Sequence, residues 1–106
     1  MEPTMPFDRA AMPREARTFL DDDGRLLSWP AKQKTQRRVI DHLARKFEHG
    51  REYTEKEVNF VLMDWHSFGD WALLRRLLYN WGYMDREGDG SRYRLRPEDR
   101  WPTLPE

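Results

Sequence analysis

Residues 54–95 read TEKEVNFVLMDWHSFGDWALLRRLLYNWGYMDREGDGSRYRL, and the order of local signals in this stretch decides the fold. Thr54-Glu55-Lys56-Glu57 has the form of a capping box, in which Thr54 caps the Glu57 amide and Glu57 reaches back to Thr54. The helix it opens is expected to run to about His66, burying Val58, Val61, Leu62 and Trp65. Phe60 and Met63 fall on the opposite face. Ser67-Phe68-Gly69-Asp70 reads as a turn, with Ser67 or Gly69 as the cap of a further helix that continues to Asn80 or Trp81 and stops at Gly82. Residues 83–87 and 91–95 then flank Gly88-Asp89-Gly90, a strong hairpin signal.

Working upstream, Phe19-Leu20 and Arg25-Leu26-Leu27-Ser28-Trp29 flank Asp21-Asp22-Asp23-Gly24 and read as a short extended pair around a turn. Pro30 is placed to open a helix, where its missing N–H costs nothing. Across residues 31–47 the apolar positions Ile40, Leu43, Ala44 and Phe47 recur at helical spacing, with Val39 beside them, and Gly50 ends the helix. Arg51-Glu52-Tyr53 is a brief extended link. The sum is an α+β chain, a winged helix-turn-helix. It has a three-helix core, a C-terminal β-hairpin wing and a short N-terminal extended pair. Prolines 3, 6 and 13 mark residues 1–18 as an N-terminal arm, and prolines 97, 102 and 105 mark residues 97–106 as a tail around Trp101. Residues 19–96 form the domain between them.

At 106 residues there is room for one domain. The 19 basic and 19 acidic side chains cancel, so any attraction to phosphate must come from local clustering. The absence of cysteine excludes disulfides, thiolate zinc sites and thiol nucleophiles. No secretory leader and no apolar run of membrane-spanning length is visible, which places the chain in the cytoplasm with no membrane partner.

Resemblance to a family enters through several of these motifs together. Phe19-Leu20, Asp23-Gly24-Arg25-Leu26 and Pro30-Ala31-Lys32 resemble the opening of the bacterial domain of unknown function 2087. Tyr53-Thr54-Glu55-Lys56-Glu57-Val58-Asn59, Leu74-Arg75-Arg76-Leu77 and Gly90-Ser91-Arg92-Tyr93 continue the likeness to Leu95. The resemblance implies a small free-standing protein or a regulator attachment, in a family without an assigned biochemical activity. Phe60, where a polar residue is expected in relatives, and the proline-bearing arms depart from that pattern.

Three surfaces are candidates for double-stranded DNA. The third helix gathers Arg75, Arg76, Tyr79 and Asn80 opposite its apolar face, and arginine and asparagine suit guanine and adenine edges. On the wing, Arg86 precedes the tip, while Arg92 and Arg94 alternate with inward-facing Tyr93 and Leu95. The first helix carries Lys32, Lys34, Arg37, Arg38, Arg45 and Lys46 against Asp41. The competing account of all three is a solvated surface whose cations pair with nearby carboxylates, on the hairpin Asp85, Glu87 and Asp89.

A rival function rests on Phe60, Met63 and Trp101 as the centre of a protein interface, for a homodimer or another regulator. The alternative is that the N-terminal arm (Met5, Phe7, Met12) or the tail at Trp101 covers Phe60 and Met63 within the chain, the commoner arrangement. Catalysis has no candidate. His42, His49 and His66 share no spacing with a second ligand or a nucleophile, and Asp21-Asp22-Asp23-Gly24 lacks the closing glutamate of a calcium loop. The sequence gives no reason to expect a cofactor, a metal or a small-molecule site, and the chain is read as a binding protein rather than an enzyme.

Overall fold

The computed structural model describes residues 8–89 and 91–104, beginning with two short helical turns split by Pro13. A 3-10 turn, Arg9–Ala11, is capped by the Asp8 carboxylate. Pro13 cannot continue that turn and instead begins α1, Arg14–Arg17. This segment is held on the domain. Ala16 is completely buried, and the Arg9 guanidinium donates to the carbonyls of Leu20 and Arg17 at 3.0 and 2.8 Å. The described part of the arm, from Asp8 onward, therefore packs on the domain.

The extended pair is reduced to a single bridge, Leu20 to Leu26, because the Asp21 carboxylate folds the intervening turn onto itself. It accepts from the amides of Asp23 and Arg25 at 2.9 and 2.8 Å. Leu26 also bridges His66, so this strand-like residue clasps the far end of the helical region and is fully buried.

Helix α2, Gln33–Ala44, starts later than Pro30 suggested. Pro30 is buried, and its carbonyl accepts from the Gln36 side chain at 2.8 Å. At the other end the helix tightens: Arg45, Lys46 and Phe47 bond to carbonyls three residues back, which keeps Phe47 on the buried side before Gly50 turns the chain. Val39, Ile40, Leu43 and Ala44 are solvent-free, and Asp41 and His42 are buried beside them. The helix is thus enclosed on most of its circumference toward its C-terminal end.

Strand β1, Tyr53–Thr54, leads directly into α3, Glu55–Asp64, through the capping box read from the sequence. Thr54 Oγ1 accepts from the Glu57 amide at 3.1 Å and Glu57 Oε1 accepts from the Thr54 amide at 2.9 Å. α4 spans Trp71–Asn80, and its cap is Asp70 rather than Ser67 or Gly69, with Asp70 Oδ1 accepting from the Leu73 amide at 3.2 Å. Gly69, at φ +86°, makes the turn that brings Asp70 into place. α4 ends in a Schellman motif: Tyr83 N–H reaches the Leu78 carbonyl and Gly82 N–H the Tyr79 carbonyl, with Gly82 at φ +87°.

Strands β2, Met84–Arg86, and β3, Arg92–Leu95, complete a three-stranded antiparallel sheet in the order β1-β3-β2. Tyr53 pairs with Tyr93 and Arg86 with the same Tyr93, so the central strand sends Tyr93 and Leu95 into the core and Arg92 and Arg94 outward. Val58, Leu62, Leu74, Leu78, Tyr83 and Met84 close the core against α2. The α+β order of elements and the sheet order are compatible with a winged-helix-like fold. Among the described residues, no helix is long and apolar enough to cross a membrane.

The tail is also tied down. Trp101 packs edge-on against Tyr83, stacks with His49, and donates from its indole to the Arg96 carbonyl at 2.8 Å. Arg45 bridges inward to Asp41 at 3.0 Å and outward to Glu98 at 2.6 Å. The Tyr83 hydroxyl donates to the buried Asp41 at 3.2 Å. Burial and then the Asp41 charge raise the Tyr83 pKa, keeping the phenol protonated as that donor.

Candidate nucleic-acid interface

Helix α4 turns Leu74 and Leu78 into the core, which leaves Arg76, Tyr79 and Asn80 exposed on its other side. These side chains border a cleft of about 310 Å³ between α4 and the β2–β3 hairpin. Arg75 lies at the same cleft, the hairpin contributes Arg86 and Tyr93, and Glu55 at the start of α3 completes the wall.

The two adjacent arginines have different surroundings. Arg75 is largely covered, donating to Asn59 Oδ1 at 2.5 Å and lying 3.5 Å from Glu55. It therefore ties α4 to α3. Arg76 is exposed and has no ion pair or hydrogen bond among the described residues. A helical step of one residue separates a tie from a free guanidinium, which is why spacing alone grouped them.

Across the cleft, the Arg86 guanidinium lies 4.3 Å from the centre of the Tyr79 ring. A hydrogen bond to Tyr93, with a smaller contribution from Tyr79, raises the Arg86 pKa further. The charge is thus held against aromatic surface without a carboxylate partner.

The outer face of β3 is different again. Arg92 lies 3.3 Å from Glu52, and Arg94 lies 3.8 Å from Glu52 and 3.7 Å from Glu87. Arg96 faces Asp85 at 3.8 Å. The expected alternation holds, yet these cations are already paired with carboxylates. Glu87 is one of the hairpin carboxylates expected to balance these cations, whereas Glu52 was not singled out in the sequence, because only the β1–β3 register places it beside both arginines.

The basic residues of α2 are dispersed. Lys32 occupies the N-cap position of α2 without a side-chain capping bond and lines a separate apolar groove with Phe19, Pro30 and Thr35, while Arg38 is half-buried. Arg37 lies over Trp81 at 4.6 Å and Lys46 over Trp65 at 3.9 Å. Burial lowers the Lys46 pKa. Several of these cations cover aromatic surface, so their summed charge does not form one patch.

Phe60 and Met63 are 53% and 38% exposed. Trp101, grouped with them in the sequence, instead packs on Tyr83 and His49. Met5 and Phe7, which could cover this face from the N-terminal arm, lie outside the described residues. Met12, also on the arm, packs against the core cluster.

His42 is buried with Nε2 2.8 Å from the Gly24 carbonyl, and desolvation lowers its pKa despite that bond. His66 is buried with Nδ1 against the Leu62 carbonyl. Among the described residues, no group of three or more histidine or carboxylate side chains is placed to hold a metal ion.

The arrangement defines a class: a small α+β domain in which two consecutive helices pack on a three-stranded sheet, with a mixed arginine and amide surface between the last helix and the hairpin. The chain belongs to the family of domain of unknown function 2087, described as an uncharacterized protein conserved in bacteria, which matches residues 25–95. The match covers both helices, the sheet and every cleft residue. No curated protein and no solved structure matches the chain.

Proposed function

We propose that this chain is a cytoplasmic winged-helix protein that binds double-stranded DNA, as a transcriptional regulator or a regulator's accessory. α4 enters the major groove and the β2–β3 hairpin serves as the wing. The observation that carries the reading is the exposed set Arg76, Tyr79 and Asn80 on α4, facing Arg86 of the hairpin across one cleft. Arginine and asparagine at the exposed side of such a helix can read base edges bidentately, and the adjoining guanidinium can hold the flanking backbone. The neutral overall charge argues neither for nor against DNA, so the reading rests on where the cations lie. No catalytic step and no cofactor belong to this reading.

The test is fluorescence anisotropy of a labelled mixed-sequence duplex titrated with the protein across a salt series. Binding that weakens with salt, by roughly 0.9 in logarithmic slope for each phosphate contacted, supports the reading. An Arg76→Ala variant that binds with unchanged affinity and specificity removes α4 from the interface.

The exposure of Phe60 and Met63 favours a second reading, a protein-contact module that forms a homodimer or docks on another regulator. Light scattering at high concentration separates the two forms. A strict monomer defeats the homodimer and leaves only docking on a different protein.

A further inference from the structure

We infer that the cleft between α4 and the β2–β3 hairpin is a discrete anion site that seats a single phosphate group on Arg76, Asn80 and Arg86. The inference deepens the DNA-binding reading by naming the group this cleft receives, and it has its own test.

The argument begins with charge. Three arginines line the cleft, and Arg75 is matched there by Glu55. On the outer face of the same hairpin, Arg92 and Arg94 are matched by Glu52 and Glu87. Arg76 and Arg86 have no carboxylate within ion-pair distance among the described residues. In a chain with no net charge, the unmatched positive charge of this region is therefore concentrated in one concavity.

Geometry and donor chemistry follow. Arg86 is held over the Tyr79 ring, so it loses less freedom when a ligand arrives than a free side chain would. Tyr79 is thus a positioning residue. Two guanidinium forks and the Asn80 amide supply N–H donors from two sides, and a phosphate offers enough oxygens to accept from all of them. A cleft of about 310 Å³ has room for that group together with the chain or water attached to it. The source is either a backbone phosphodiester of DNA or a free phosphorylated ligand, and both present this chemistry.

The full chain is titrated with inorganic phosphate against chloride at matched ionic strength, following arginine Nε–H and asparagine side-chain resonances by NMR. Saturable shifts at Arg76, Asn80 and Arg86, with Arg92 and Arg94 unmoved, are expected. Arg86→Gln should weaken the phosphate response of Arg76 about tenfold, the loss of one charge-assisted contact. Tyr79→Leu should weaken it severalfold at unchanged melting temperature, and Tyr79→Phe should restore it. Non-saturating shifts that chloride reproduces, or equal movement of Arg92 and Arg94, overturn the site. A mixed-sequence duplex that moves the same three residues identifies the backbone as the source. A duplex that leaves them still while free phosphate saturates them keeps the site and defeats the DNA reading. A duplex that moves the exposed residues of α4, where phosphate does not saturate the cleft, defeats the site and keeps the DNA reading.

Discussion

Glu52 Oε1 accepts a hydrogen bond from Arg92 Nη1 at 3.3 Å, while its second oxygen lies 3.8 Å from Arg94. One carboxylate just before β1 thus opposes two arginines on the neighbouring strand. The groups are about half exposed, so the pairs contribute less than about 1 kcal/mol to stability. Their larger effect is on what the hairpin can attract. Glu52→Gln should leave the melting temperature nearly unchanged, raise affinity for a DNA duplex severalfold and steepen its salt dependence. An anisotropy salt series on the variant checks this. Unaltered affinity would place the outer face of β3 away from the DNA.

Arg75 and Arg76 should separate cleanly in mutagenesis. Arg75→Ala removes the bond to Asn59 and the pairing with Glu55, and should cost about 1 kcal/mol in urea unfolding. Asn59→Ala should reproduce most of that loss, with the double variant little worse than either single one. Arg76→Ala should leave stability within about 0.5 kcal/mol of the parent and weaken DNA binding. Additive losses for Arg75 and Asn59 would show that the bond between them is not the source of the effect.

His42 makes stability depend on pH in a defined direction. Desolvation lowers its pKa below 6.5, although the bond to Gly24 opposes the shift. As pH falls, the unfolded chain takes up this proton first, which favours unfolding. The contribution of His42 is complete above about pH 6.5 and is lost as pH falls from there through the folded value. The urea midpoint should therefore drop from about pH 7.5 to about pH 5.5, and drop less in His42→Gln, whose amide can still donate to Gly24. Equal drops in both proteins would assign the effect to other groups.

Gly82→Ala should destabilise by about 1–2 kcal/mol, because a side chain there must hold a left-handed backbone. The added Cβ would also lie 3.0 Å from Arg96 Nη1, the movable end of a side chain. Gly50→Ala is the control, since it shares the positive φ with nothing within 4 Å of the new carbon. Comparable losses at the two sites in urea unfolding would attribute the cost to backbone conformation. A far larger loss at Gly82 would mean that Arg96 cannot yield.

Local elements were largely legible because their causes act within a few residues. The Thr54–Glu57 box, the stop at Gly82, the hairpin strands and the alternation of Arg92, Tyr93, Arg94 and Leu95 all follow from neighbours in the chain. The errors occur where a second segment intervenes. Pro30 does not open α2, because its backbone is buried and bonded to Gln36. Asp70 caps α4 once Gly69 has turned the chain, which the four-residue turn signal could not resolve. Trp101 packs on Tyr83 and His49, a contact between parts of the chain that no periodicity encodes.

The candidate site divides along the same line. By itself the sequence determined which residue types face outward from α4 and β3, because the helical period and the strand period assign faces one residue at a time. Only the tertiary structure decided which of those arginines keep an uncompensated charge. Glu52 meets Arg92 across 40 positions and Asn59 meets Arg75 across 16, through sheet register and helix packing. Charge pairing depends on distance in space, so Arg76 and Arg86 emerge as unmatched only when the chain is folded.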